Sequence, residues 1–301
     1  MFTRTCSVID APSDLGLRPT GVAGLPEALR AAGILEGLPA AAWAGRVAVP
    51  PHDPTPDAAS GVLNGEGIAV FSRRLAERIA FTLDLGRFPL VLGGDCSILL
   101  GSMLALRRRG RFGLLFIDGH ADFYSPEAEP AGEVASMDLA LVTGHGPTTL
   151  TDADGLCPLV REEDVVVLGF RDADSACEYG SPDVRATSMQ TFDLAEVRAM
   201  GAAKAARAAL STLEHARTAG FWIHLDADVL HDDVMPAVDY RIPDGLWQEE
   251  LIEVLAAALA SPRVVGMEIT IYNPALDDET HSAARALSRA VTQAFALAAV
   301  R

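Results

Sequence analysis

Apolar residues fall in two rhythms along this chain. Short unbroken runs alternate with longer stretches whose apolar positions recur every three or four residues. The short runs are "FPLVLGG" (88–94), "GLLFID" (113–118), "DVVVLGF" (164–170), "FWIHLDAD" (221–228) and "RVVGMEIT" (263–270), and each reads as a buried strand. Helical spacing follows the first of them in "SILLGSMLALRRRG" (97–110). It recurs in "LAEVRAMGAAKAARAALSTLEHARTAG" (194–220), in "WQEELIEVLAAALASP" (247–262) and in the Ala-rich end of the chain (280–300). Strands separated by helices imply right-handed crossovers. The predicted fold is α/β, a three-layer α/β/α arrangement of a mostly parallel sheet with helices on both faces.

Length and composition narrow this picture little. A chain of 301 residues suits one large α/β domain, and residues 1–301 are read as one, with 48–67 a proline-rich surface excursion. The formal net charge of −17 disfavours nucleic acid and anionic membrane surfaces, because both need a basic face. No apolar run is long enough to span a bilayer, and the N-terminus does not read as a signal peptide. Cys6, Cys96, Cys157 and Cys177 form no CxxC pair, so no disulfide framework is expected and the expected location is cytoplasmic.

Ligands of such sheets collect beyond the carboxyl ends of the strands, and chemistry-bearing residues stand there. "IDGHAD" sets Asp118, His120 and Asp122 at alternate positions after one strand; "HLDAD" sets His224, Asp226 and Asp228 at the end of another. Alternate residues of an extended segment point to one side, so both groups would converge on a common volume. Four carboxylates in one dry cleft repel strongly, and one or two divalent cations are the simplest counter-charge. Mixed oxygen and nitrogen donors suit Mn2+, with Zn2+ and Fe2+ as alternatives. The competing reading is that these acids cap helices or line solvated loops.

These motifs resemble the metal-binding signatures of the ureohydrolases, the family of arginase, agmatinase and formiminoglutamase. "VLGGDCS", "GFRDAD", "GMEITIYNP" and the glycine-rich stretch 11–34 are similar to further signatures of the family, in the same order. The resemblance implies trimers or hexamers and two Mn2+ ions bridged by a hydroxide that attacks a guanidinium carbon. It implies that Asp122 and Asp226 bridge the metals, and that Asp118, His120 and Asp228 complete their shells. It implies substrate contacts at Asp174 and Tyr124, and a small-molecule substrate.

The chain departs from the family pattern at three places. Cys96 stands where the family has a metal-binding His; a thiolate there would favour a softer ion, and a neutral thiol would leave that Mn2+ weak or absent. The alternative is a small buried residue with no ligand role. No His lies in 131–138, where arginases place a proton shuttle, which leaves Glu133 and His224 as candidate acids. Ile271 occupies the position of the Glu that holds a cationic guanidinium, which moves the reading away from arginine and agmatine. Glu268, nearby, has the opposite strand parity and reads as structural. Cys96 and the stretches "FIDGHADFYSPE", "WIHLDADVL" and "YRIPDGL" are similar to the hydroxyurea-forming hydrolase of Nω-hydroxy-L-arginine from cycloserine biosynthesis. The expected activity is metal-dependent hydrolysis of a non-peptide C–N bond in a guanidino, hydroxyguanidino, amidine or amide compound. The alternatives are a metal-depleted, non-catalytic paralogue acting as a binding or regulatory subunit, and a single-zinc amide hydrolase.

Overall fold

A computed structural model gives the fold and describes residues 4–300. All five predicted strands are present, each one to three residues shorter than its apolar run. They are β3 (Phe88–Leu92), β4 (Gly113–Ile117), β5 (Val165–Leu168), β7 (Phe221–Asp226) and β8 (Val264–Thr270). Three further strands join them: β1 (Cys6–Asp10), β2 (Ala42–Arg46) and β6 (Gln190–Phe192). Together they form one eight-stranded sheet of order β2-β1-β3-β8-β7-β4-β5-β6, with every pair parallel.

The sheet divides the core in two because successive side chains point to opposite faces. Leu115, Ile117, Ile223, Leu225 and Met267 pack under the helices Ala202–His215, Gln248–Ala260 and Ser282–Val300. Leu114, Phe116, Val91 and Trp222 pack under Gly65–Asp84 and Leu99–Arg107 on the other face. This is the expected three-layer α/β/α arrangement. The long helical stretch 194–220 is in fact two helices, Leu194–Met200 and Ala202–His215. They part at Gly201, whose φ of +82° suits a residue without a Cβ. Residues 48–67 run as an irregular surface segment up to the helix at Gly65. No described helix is long and apolar enough to cross a membrane.

Neighbours β3, β8, β7 and β4 form the middle of the sheet. Their carboxyl ends therefore open side by side onto one surface, at the kind of position where α/β sheets hold ligands.

Candidate metal centre

The glycine-rich turn after β3 places Cys96. Gly94 lies so close to the Ser13 carbonyl that a Cβ there would meet it at 1.7 Å, so only glycine fits. Asp95 then accepts from Ser97 N at 2.8 Å and Gly16 N at 3.1 Å, capping a short 3-10 turn at Cys96–Ile98. Asp95 is thus a structural brace, and it turns Cys96 inward. Cys96 Sγ donates to Asp226 Oδ2 at 2.8 Å.

Extended-chain alternation does not gather the acids as expected. β4 ends at Ile117 and β7 at Asp226, so the clusters form in the turns that follow. Asp118 Oδ1 accepts from His120 N at 2.7 Å, and Asp226 Oδ1 accepts from Asp228 N at 2.7 Å. Asp122 holds a positive φ of 42°, an uncommon and strained state for this residue. Asp228 ties the two turns together: its Oδ1 accepts from Gly119 N at 3.0 Å and its Oδ2 meets His120 Nδ1 at 2.8 Å.

Burial and mutual repulsion set the protonation of this group. Burial, then the charges of Asp122, Asp226 and Asp228, push Asp118 well above the usual carboxylate range. Burial and the Asp228 charge do the same to Asp226. Burial raises Asp122 to about 7 against the opposing pull of His120. Asp138, which the sequence motifs do not mark as a site residue, is buried beside Asp122 and is likewise driven up by burial and by Asp122. Burial and the charge of Asp226 push the Cys96 thiol up. Two groups go the other way. Burial opposes charge on His120, but Asp228 outweighs it and holds the imidazole at about 10. Burial also opposes charge on Asp228, yet His120 and Arg171 bring its carboxyl to about 2.

A cavity of about 340 Å3 opens above these residues. Cys96, His120, Asp122, Asp226 and Asp228 line its floor; Tyr124, Glu133 and Ile271 line its wall. Tyr179, Tyr240 and Glu129, which sequence reasoning does not single out, also reach it. Glu133 accepts from Arg18 N at 3.1 Å and from the Tyr240 hydroxyl. Ile271 takes a φ of +70°, a genuine outlier for a β-branched residue. Its N–H donates to the Gly94 carbonyl at 2.8 Å, which ties it to the turn that carries Cys96.

Two expected residues lie elsewhere. Asp174 does not line this cavity; it lines a smaller neighbouring one of about 160 Å3, with Phe170 and Arg185. The short helix Ala173–Glu178 turns it aside, and Asp172 is the acid that reaches toward the site, accepting from Ala121 N at 3.1 Å. His224 is fully buried and does not reach the cavity. Its ring stacks on Phe116 and its Nδ1 meets Glu268 Oε1 at 2.8 Å. It has no route to a leaving group, so the role of acid assigned to it from sequence does not hold. Glu268, read as structural, is buried, does not line the cavity, and is the cross-strand partner of His224.

The donor set suits divalent cations. Donor atoms of Asp118, His120 and Asp228 lie within 4.8 Å of one another, and so do those of Cys96, Asp118, His224 and Asp226. Asp118 Oδ2 is buried without any hydrogen-bond partner, which is costly unless a cation is its counterpart.

The chain matches the model of the arginase family over residues 4–296. It is 30% identical to an arginase of Bacillus caldovelox over 291 residues, covering 94% of this chain and 95% of that one. It is 28% identical to an arginase of Staphylococcus aureus over 293 residues, 95% of each. The solved structure of the Bacillus caldovelox arginase superposes with a TM-score of 0.86 at 27% identity, covering 97% of this chain and 98% of that one.

Proposed function

We propose a function from the premise that this chain belongs to the arginase family: it is a metal-dependent amidinohydrolase that cleaves a non-peptide C–N bond of a small guanidino-type molecule. One observation carries this reading. Cys96, His120, Asp122, Asp226 and Asp228 converge on the floor of a single cavity, at the ends of three strands from the middle of the sheet. Bound divalent cations, manganese with zinc or iron as alternatives, supply Lewis acidity and a water of lowered pKa.

The chain's own residues divide the remaining work. Asp118 belongs to both donor groups and would hold both ions; Cys96 and Asp226 would complete one group and His120 and Asp228 the other, with Asp122 beside them on the cavity floor. Burial of these acids keeps water out of the floor, and the fixed turns at 118–122 and 226–228 hold the donors in place. Glu133 is the titratable group on the wall that can move a proton to or from the departing nitrogen. Tyr124, whose hydroxyl stays protonated because burial lifts it to about 12, presents a hydrogen bond to the substrate.

Ile271 favours a less basic substrate. Its apolar side chain gives a cationic guanidinium no charged partner at that position; the carboxyls of Glu129 and Glu133 lie elsewhere along the lining. Water added at the guanidine carbon of a hydroxylated guanidine, such as Nω-hydroxy-L-arginine, can expel hydroxylamine and leave the ureido product; hydroxylamine is far less basic than an alkylamine and needs little help from an acid, which fits a site without a shuttle His. Arginine itself is the second reading, favoured by relatives named arginase that align along 94–95% of the chain. Steady-state assays of metal-loaded protein on arginine, agmatine and Nω-hydroxy-L-arginine test both. The expected result is a higher kcat/KM for the hydroxylated compound. A higher value for arginine would reverse the order, and no hydrolysis of any guanidine or amidine in Mn2+, Zn2+ or Fe2+ would sink the enzymatic reading.

A further inference from the structure

The sequence at β7 puts an imidazole where it is costly to leave one alone. His224 precedes Asp226 by two residues, so both side chains leave the strand on the same face. Register places Phe116 of β4 on one side of His224 and Glu268 of β8 on the other. Phe116 stacks on the ring with centroids 4.5 Å apart and planes 7° apart, so the ring cannot turn. Glu268 takes Nδ1 at 2.8 Å, and its other oxygen accepts from Ser102 Oγ. One nitrogen is thereby fixed as the donor, and the lone pair of Nε2 is aimed back toward the acids.

Nε2 meets no hydrogen-bond partner there. It is fully buried, and so is Asp118 Oδ2, which faces it at 3.8 Å and is equally unpartnered. That separation is too long for a hydrogen bond. It is shorter than roughly 4.2 Å, the sum of two zinc–ligand bonds, so one cation can satisfy both atoms. Donor atoms of Cys96 and Asp226 lie within 4.8 Å of these two. A buried carboxylate behind Nδ1 is the arrangement that orients an imidazole ligand and raises its basicity.

We propose that His224 Nε2 is a ligand of the cation at the Cys96 end of the centre. That position then offers Cys96 Sγ, Asp118, Asp226 and His224, and it takes a thiophilic ion, zinc or ferrous iron, in preference to manganese. Sulfur with imidazole selects such ions, whereas the neighbouring group of Asp118, His120 and Asp228 stays richer in oxygen. The centre is therefore mixed in donor character. The imidazole supplied from β7 compensates for the thiol in the turn after β3. Ligation displaces the Cys96 proton, which now rests on the hydrogen bond to Asp226, into solvent. This inference rests on the metal-centre reading above and adds a ligand to it.

The test is metal binding, measured without turnover. Metal-free protein, prepared with a chelator, is titrated with Co2+ and separately with Zn2+ against a chromogenic chelator. Wild type is expected to bind two ions and to show a thiolate-to-cobalt charge-transfer band. Cys96→Ser should lose the band. His224→Gln should keep the band, change the ligand-field spectrum, and weaken zinc at that position by at least about 100-fold, the upper end of what losing an outer-shell partner alone costs. Unchanged zinc affinity and an unchanged cobalt spectrum in His224→Gln would overturn the proposal and leave the metal-centre reading standing. Absence of any tight ion in wild type would overturn both. Should His224→Gln not fold, X-ray absorption at the zinc edge of wild type loaded with one equivalent decides. Sulfur and imidazole together support the assignment; sulfur with oxygen alone removes it.

Discussion

Asp122 shows how single residues here trade stability for chemistry. It is buried, strained at a φ of 42°, and its carboxyl is raised by burial to about 7. A tenfold change in proton affinity corresponds to about 1.4 kcal/mol, so ionised Asp122 weighs on the metal-free fold by a few kcal/mol. Asp122→Asn removes that charge at nearly constant volume. The metal-free variant is therefore expected to melt higher than metal-free wild type at pH 8, while losing most of its affinity for the second ion. Differential scanning calorimetry with and without Mn2+ reads both effects. A lower melting temperature for the metal-free variant would mean that Asp122 stabilises the fold, contrary to its burial. Ile271 is a second residue of this type: a β-branched side chain kept at positive φ, where less strained choices exist, on the cavity wall.

At the level of elements, the strand ends act together. Asp118, Asp122, Asp138 and Asp226 all have pKa values above those of an unfolded chain, with burial the largest cause in each. The folded metal-free protein thus binds more protons than the unfolded chain above about pH 4, and stability falls as pH rises through that window. His120, held at about 10, has the same sign at higher pH: its contribution is complete below about pH 6.5 and is lost as pH rises through about 10. Asp228, at about 2, contributes throughout this range. Nothing among these groups opposes the four raised acids above about pH 4, so the melting temperature of metal-free protein should decline between about pH 4 and pH 7. Saturating metal should flatten that decline, because ions replace the protons. A flat or rising metal-free profile over this window would contradict the burial of these acids.

The same elements show what can be read from sequence. The five runs that form central or near-central strands are legible because both faces are buried and the runs are almost purely apolar. β2 and β6 escape notice as edge strands with polar or exposed positions, and β1 because "CSVID" carries polar residues. The metal-site acids are legible as motifs, yet strand alternation is not what makes them converge: turns gather them, not the pleat. Asp172 and Tyr240 lie inside the stretches "GFRDAD" and "YRIPDGL", but neither stretch marks which of its residues reaches the site, and Asp138 comes from a separate segment. His224 and Glu268 are visible, but their pairing depends on the β7–β8 register, which sequence alone does not supply.

For the whole molecule, the centre is also a cross-link. Cys96 and Asp226 are 130 residues apart and touch through the thiol, and both neighbour Asp118 on a third strand. Ions held there join the β1-β3 side of the sheet to the β4-β5 side through β7 and β8. They bind the folded chain and not the unfolded one. At a free concentration 100 times Kd, each adds about 2.7 kcal/mol by mass action. With −17 net charge, the folded chain also gains by neutralising part of its own repulsion. If residues 1–301 act as one domain, heating should give one cooperative transition, moved upward by several degrees as metal is added and returned by a chelator. Two transitions, only one of them sensitive to metal, would divide the chain and remove the one-domain reading, because ligands drawn from β3, β4 and β7 cannot be lost in parts.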